Sequence, residues 1–308
     1  MTPNHVTLVE VGPRDGLQNE KQNVSTAHKV ELVTRLQAAG LREIEVTSYV
    51  SPKWVPQMAD NAAVMAAIAR PAGVRHSVLV PNMLGLEAAL AGGLATRPDE
   101  VVVFAAATEA FSRRNINCSI AESIERFAPV VAAARAAGLK VRGAISCALG
   151  CPYQGEVSAD EVEAVVRLFK DIGVQHCGVA DTIGTGTPRQ VQAVMARALK
   201  HYPVSEVSGH FHDTYGQALA NIYACLEVGI ATFDTSVAGL GGCPYAKGAT
   251  GNVATEDVAF MLRGMGVDTG IDLDTLVEAG GFISDVLGRA PVSRAGKALL
   301  TKKGRTWV

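Results

Sequence analysis

The chain has 308 residues, of which 48% are hydrophobic and 19% charged, with a formal net charge of −2. That length exceeds most single domains but suits one (β/α)8 barrel of about 250 residues plus extensions. A near-neutral balance excludes a general attraction to nucleic acid or to acidic membrane surfaces, and the basic tail from Lys297 to Arg305 reads as a solvated end.

Short β-rich runs alternate with alanine-rich helical segments along the chain. Val6–Val11 reads as the first strand and Ser25–Ala39 as a helix stopped by Gly40; Glu43–Thr47 is the second strand, followed by a helix over Met58–Ala69. Val74–Val80 and Val101–Ala106 are the third and fourth strands, with a helix around Leu84–Ala91 between them. Ile120–Ala137 is helical and closed by Gly138, and Leu139–Ser146 is the fifth strand. Ser158 begins the next helix with Glu161 three residues on, a spacing that lets each side chain cap the other's backbone N–H. Val174–Ala180 is the sixth strand, and Pro188–Lys200 is a helix with proline in its first turn, where the missing N–H costs nothing. Val204–Phe211, a helix over Gly216–Val228, the strand Thr232–Ser236 and a helix over Ala254–Met265 complete eight strand–helix units. No composition break divides them, so the expected architecture is one α/β domain over residues 1–308, a (β/α)8 TIM barrel. The residues from roughly 270 to 308 are expected to form a short helical extension packed on it. An open doubly wound sheet is disfavoured because no GxGxxG follows the first strand.

The apolar runs near Val101–Ala107 and Val130–Ala137 are far too short to span a bilayer. The N-terminal residues lack a basic segment followed by an apolar stretch, and the six cysteines form no CxxC pair. Cys147 and Cys151 form a CxxxC spacing without a second pair to complete a metal site. The expectation is a cytoplasmic enzyme with reduced thiols.

In such a barrel functional groups gather at the C-terminal ends of the strands. Arg14 and Asp15 follow the first strand, Glu45 lies in the second, Asp181-Thr182 follow the sixth, and His210-Phe-His212 close the seventh. Residues i and i+2 of a strand share a face, so His210 and His212 offer two imidazoles on one side. A bare HxH is as often a pair of half-buried histidines as a ligand pair; the accompanying polar residues tip the balance. Asp15, His210, His212 and Asn252 add up to one carboxylate, two imidazoles and one amide, a mixed N/O set that suits Mg2+ or Mn2+ and could accept Zn2+. Taken alone, Asp15 is equally a turn-capping aspartate and Asn252 a turn residue. Arg14 could be a plain ion-pair partner or, if aimed into the mouth, a cation for a developing oxyanion. Glu45 reads mainly as the partner of Arg14. The glycine-rich stretch Ala238–Gly248 lacks P-loop spacing and reads as a lid presenting Cys243.

These segments resemble the 3-hydroxy-3-methylglutaryl-CoA lyase family of TIM-barrel metallolyases. The resemblance is carried by Val9-Glu-Val-Gly-Pro-Arg-Asp-Gly-Leu-Gln-Asn-Glu20, Ser51–Asp60, Asn115–Ser119 and Cys147-Ala-Leu-Gly-Cys-Pro-Tyr153. Ala180-Asp-Thr-Ile-Gly184, Gly209-His-Phe-His-Asp-Thr-Tyr-Gly216, Gly241-Gly-Cys-Pro-Tyr245 and Gly251–Asp257 complete it, and together they span nearly the whole chain. The resemblance implies cleavage of 3-hydroxy-3-methylglutaryl-CoA to acetoacetate and acetyl-CoA, as in leucine degradation. It implies Asp15, His210, His212 and Asn252 as ligands of Mg2+ or Mn2+, Arg14 as the enolate-stabilising cation, Glu45 as its support and Cys243 as the lid cysteine. Asp15 or His210 would serve as base. Gln18, Asn115, Asp181 and Thr182, with Arg14, match positions lining the substrate site. It further implies a small-molecule acyl-CoA substrate and a homo-oligomer, a dimer, with no nucleic-acid or membrane partner. The alternatives are a lyase for a longer branched 3-hydroxyglutaryl-CoA ester, a Claisen-type synthase of the same superfamily, a zinc hydrolase of the HxH barrel type and a non-catalytic binding barrel.

Overall fold

Eight parallel strands close into a barrel in sequence order, with β8 (Thr232–Thr235) returning to pair with β1 (Thr7–Glu10). The structure, a computed structural model, describes residues 2–242 and 251–305. Between these two strands run β2 (Glu43–Ser48), β3 (Arg75–Leu79), β4 (Glu100–Ala106), β5 (Lys140–Ser146), β6 (His176–Asp181) and β7 (Val207–Phe211). Both faces of a parallel barrel strand are covered, and β4 reads as a near-continuous apolar run. Val101, Val103, Val141 and Val179 are fully buried accordingly.

The helices wrap the outside: α1 (Thr26–Ala38), α2 (Asn61–Ala67), α3 (Met83–Leu90), α4 (Glu109–Ile116), α5 (Ile120–Ala136), α6 (Ala159–Asp171), α7 (Pro188–Ala198), α8 (Ala218–Glu227) and α9 (Thr255–Gly264). Their starts are set locally. Reciprocal Ser158–Glu161 contacts cap α6, a similar Ser119–Glu122 box caps α5, and Pro188 opens α7. At the far end of α1, Gly40 turns the chain at φ 98°, and a Cβ there would meet the carbonyl oxygen of Gly270 at 2.3 Å. Only glycine fits.

Four local features depart from the expected elements. Residues 56–58 form a 3-10 turn before a shorter α2, because Pro56 opens a turn that Asp60 ends. Val204–Glu206 is likewise a 3-10 turn, so the seventh strand starts only at Val207. An additional helix, α4, stands between β4 and α5; the Thr108 hydroxyl caps it and Asn117 ends it in the left-handed region. The Gly-Pro-Arg-Asp-Gly run after β1 is a single π-helical turn, Gly12–Gly16.

Charged residues line the N-terminal end of the barrel. A cavity of about 320 Å³ there is bordered by Glu43, Arg75, Glu100, Lys140, Arg142 and His176. Arg75 reaches Glu43 at 3.1 Å and Glu100 at 3.8 Å, and Arg142 reaches Glu100 at 2.8 Å. Ion pairs among Glu43, Arg75, Glu100 and Arg142 suit the face of a TIM barrel that carries stability.

The C-terminal segment forms α10 (Leu273–Leu287) and α11 (Arg294–Lys302). α10 packs on α1, and α11 on α9 and α10. Leu276, Val277 and Ile283 of α10 are fully buried, each stabilising the packing by about 1.5–3 kcal/mol. Asp257 fixes the start of α11, accepting from the Ser293 hydroxyl at 2.8 Å and the Ala295 N–H at 2.6 Å. Among the described residues no helix is long and apolar enough to cross a membrane.

Candidate active site and metal centre

The π-helical turn after β1 sets the first two functional side chains. The carbonyl of Val11 accepts N–H groups from Arg14, Asp15 and Gly16 at 3.2, 2.7 and 3.1 Å, which winds the chain tightly. Single π turns recur at functional sites. Gly16 lets this turn press against the end of β8: a Cβ would meet Leu240 Cβ at 2.7 Å and Ser236 Oγ at 2.8 Å.

Arg14 is directed inward. Its Nε and Nη2 donate to the two oxygens of Glu45 at 2.8 and 3.1 Å, and its Nη1 donates to Asp15 Oδ1 at 2.6 Å. Glu45 on β2 is 3% exposed, so this is a buried, bidentate pair. Burial disfavours the charge on Arg14, but Glu45 and then Asp15 outweigh it and hold the guanidinium firmly protonated. The other oxygen of Asp15 accepts the side-chain N–H of Asn252 at 2.8 Å. Burial works to raise the Asp15 pKa; Arg14, His210 and His212 overcome it and hold the carboxyl well below the usual carboxylate range.

His210 lies in β7, and His212 stands one residue beyond the strand end, kept extended by an antiparallel bridge to Asn252. Their ring centroids are 5.3 Å apart. Burial lowers the His212 pKa to about 4, with His210 adding to the effect. Burial works the same way on His210, but its hydrogen bond to Asp234 and the charges of Asp234 and Asp15 reverse the direction, and its pKa rises. Ligand atoms of Asp15, His210 and His212 all lie within 4.8 Å of one another. Nδ1 of His212 is buried and has no hydrogen-bond partner, which is costly for a polar atom unless something else binds there. One carboxylate and two imidazoles converging with an orphaned ring nitrogen fit a divalent cation. Asn252 can join them only with its amide turned over, since here its nitrogen faces Asp15.

Other residues picked out from the sequence lie around this centre in different ways. Asp181, fully buried at the end of β6, spends its carboxylate on the backbone, accepting from Thr185 N at 3.1 Å and Gly186 N at 2.8 Å. Desolvation raises its pKa to about 6. The hydroxyl of Thr182 accepts the N–H of Cys147 at 2.7 Å, and Cys147 itself sits at φ 58°. These two residues therefore shape the loops after β5 and β6. Gln18 is half-buried just past the π turn, while Asn115 is exposed in the last turn of α4. Cys243 lies outside the described residues. Cys147 and Cys151 are both buried, and Cys151 accepts a hydrogen bond from the Thr108 hydroxyl.

Several site-building groups escape a reading of the sequence. Glu10 accepts from Gly12 N, Val237 N and the Thr255 hydroxyl at 2.8, 2.9 and 2.6 Å. Glu256 accepts the N–H of Ala238, a left-handed residue at φ 58°, through both oxygens. Together they tie the turn after β1 to the chain leading into residues 239–252. Burial raises Glu10 to about 7 and Glu256 to about 8. Asp234, an acidic residue inside β8, contacts His210, and Arg142 of β5 contacts Asp234. The one signal available for Asp234 is a carboxylate inside a strand, the same cue that marks Glu45.

A family model described as HMGL-like matches residues 5–283. The chain is 57% identical over 300 residues to a 3-hydroxy-3-isohexenylglutaryl-CoA/hydroxy-methylglutaryl-CoA lyase of Pseudomonas aeruginosa, covering 97% of this chain and 99% of that one. It is 51% identical over 296 residues to a mitochondrial hydroxymethylglutaryl-CoA lyase of Gallus gallus, covering 96% and 98%. A crystal structure of hydroxymethylglutaryl-CoA lyase from Pseudomonas aeruginosa superposes with a TM-score of 0.94 at 57% identity, covering 98% of this chain and 99% of the other.

Proposed function

The chain belongs to the HMGL-like family, and from that premise we propose that the barrel mouth is the active site of a hydroxymethylglutaryl-CoA lyase. The enzyme is a carbon–carbon lyase that cleaves 3-hydroxy-3-methylglutaryl-CoA to acetoacetate and acetyl-CoA. The observation that carries this is the convergence of Asp15, His210 and His212 within 4.8 Å, with the Arg14 guanidinium bonded to Asp15. Neither a lyase confined to a longer branched ester nor a Claisen-type synthase is favoured by relatives that share the hydroxymethylglutaryl-CoA lyase name.

Cleavage removes the proton of the C3 hydroxyl, forms the C3 carbonyl and breaks the C2–C3 bond. The electron pair passes into the thioester enolate, and a proton delivered to C2 yields acetyl-CoA. Asp15, His210, His212 and Asn252 would hold Mg2+ or Mn2+, which when bound lowers the pKa of a hydroxyl and so eases its deprotonation. Asp15 and His210 are the groups able to accept the proton. His210 can do so only while its Nε2 is not bound to the metal, because its Nδ1 faces Asp234, whereas Asp15 is held as an anion by its cationic neighbours. Arg14, which cannot lose its proton, stabilises the enolate oxygen, and Glu45 keeps its guanidinium aimed there. Gln18, Asn115, Asp181 and Thr182 line or shape the acyl-CoA site. A role in leucine degradation, a cytoplasmic location and a homodimeric state belong to this proposal.

Acetoacetate release from 3-hydroxy-3-methylglutaryl-CoA tests it. Turnover is expected with Mg2+ or Mn2+ and is lost in EDTA, returning when the metal is restored. No acetoacetate under any metal condition would sink the assignment. Cys243 is assigned the delivery of the proton to C2, directly or through an ordered water. Cys243→Ser is accordingly expected to lower kcat by about 10²-fold with KM nearly unchanged. An unaltered kcat returns Cys243 to the inert thiols.

A further inference from the structure

Asp234 stands on β8 directly beside His210 on β7, the two paired in register. Its side chain lies inside the barrel, 12% exposed. Oδ2 contacts Nδ1 of His210 at 3.2 Å, and Oδ1 accepts from Nη1 of Arg142 at 2.9 Å. Arg142 is itself immobilised, donating Nε and Nη2 to Glu100 at 2.9 and 2.8 Å. A guanidinium offers only donors and a carboxylate only acceptors. With one oxygen of Asp234 committed to Arg142, the other can receive only an N–H from the imidazole. The proton of neutral His210 is thereby confined to Nδ1, and the lone pair is left on Nε2.

We propose that Asp234 is a positioning residue of the metal centre: anchored by Arg142, it fixes His210 as the Nδ1–H tautomer and turns Nε2 toward Asp15 and His212. The proposal rests on the metal-centre assignment made above. Carboxylates behind ligand histidines set tautomer and ring orientation in this way. Charge neutralisation of Arg142 alone would not require Asp234 to touch the histidine, since Glu100 already pairs with that guanidinium.

Asp234→Asn preserves the shape and reverses the demand. The amide oxygen is drawn to Arg142, so the amide NH2 faces Nδ1, which must then accept. The imidazole proton moves to Nε2 and blocks it as a ligand. Mn2+ affinity of the full chain, followed by the electron paramagnetic resonance signal of free Mn2+, is expected to fall about 10–100-fold. Nitrogen-15 spectra of the histidine rings of the metal-free wild type at alkaline pH, assigned with His210→Gln, are expected to show His210 protonated on Nδ1. An Nε2–H tautomer in the wild type, or wild-type Mn2+ affinity in Asp234→Asn, overturns the proposal. The wild-type spectrum decides even if the variant does not fold. A wild type that binds no Mn2+ at all refutes the metal-centre assignment instead, and the tautomer still judges Asp234.

Discussion

Arg14→Ala is expected to lower kcat by about 10³-fold while leaving Mn2+ affinity within a few-fold of wild type. A guanidinium has only donors and cannot ligate a cation; that of Arg14 borders the metal centre through Asp15 and is braced from behind by Glu45. Its removal takes away the cation facing the enolate, and loss of one such preorganised donor costs roughly 3–4 kcal/mol at the transition state. Asp15 keeps His210, His212 and Asn252 as neighbours, so the carboxylate stays available to a metal. Glu45, 3% exposed, loses its counter-charge and takes up a proton more readily, which limits the cost of leaving it buried. Arg14→Lys is expected to recover only part of the activity, since an ammonium cannot reproduce the two-pronged contact with Glu45. Mn2+ titration beside steady-state kinetics checks both halves. A large loss of Mn2+ affinity in Arg14→Ala would defeat the role assigned to this residue.

How much of this site is legible in the sequence depends on how local each feature is. The barrel shows because apolar runs such as β4 and β6 alternate with helices, several of which carry local start signals, as at Ser158 and Pro188; the eight units need no tertiary information to be counted. Asp15, His210 and His212 are visible because the ends of barrel strands share one face, so residues far apart in sequence arrive at the same mouth. The π turn is not visible, because Gly-Pro-Arg-Asp-Gly suits several tight turns and only the carbonyl of Val11 decides among them. Asp234 and Arg142 are hidden for a different reason. Their contact joins β5 to β8 across the barrel interior, and the His210–Asp234 pairing follows from strand register, which hydrophobic patterning does not specify to the residue. Helix α4 escapes because its polar surface lacks a strong apolar stripe; the cap at Thr108 and the left-handed Asn117 define it. Asp181 shows the opposite case: its place at a strand end is legible, but its commitment to the N–H groups of Thr185 and Gly186 is not.

Asp15→Asn is expected to cost both metal affinity and activity, and to do so with a pH signature in the metal-free protein. The substitution keeps the side-chain volume but removes the single carboxylate from the Asp15–His210–His212 cluster. An outer partner of a metal ligand is worth about 10–100-fold in affinity, so loss of a direct anionic ligand is expected to exceed about 10²-fold in Mn2+ affinity. Activity should remain depressed at Mn2+ concentrations that saturate the wild type. The folded protein holds the Asp15 pKa below its unfolded value, near 3.9. A depressed carboxyl pKa contributes stability that is present above the unfolded pKa and is lost as pH falls toward the folded one. The metal-free variant is therefore expected to melt below wild type at pH 7, with the gap closing as the pH is lowered through about 4. Thermal melts in EDTA across that range measure it. A gap that widens on acidification would mean that Asp15 is not held as an anion by Arg14 and the two histidines. Wild-type Mn2+ affinity in the variant would place the metal on other residues.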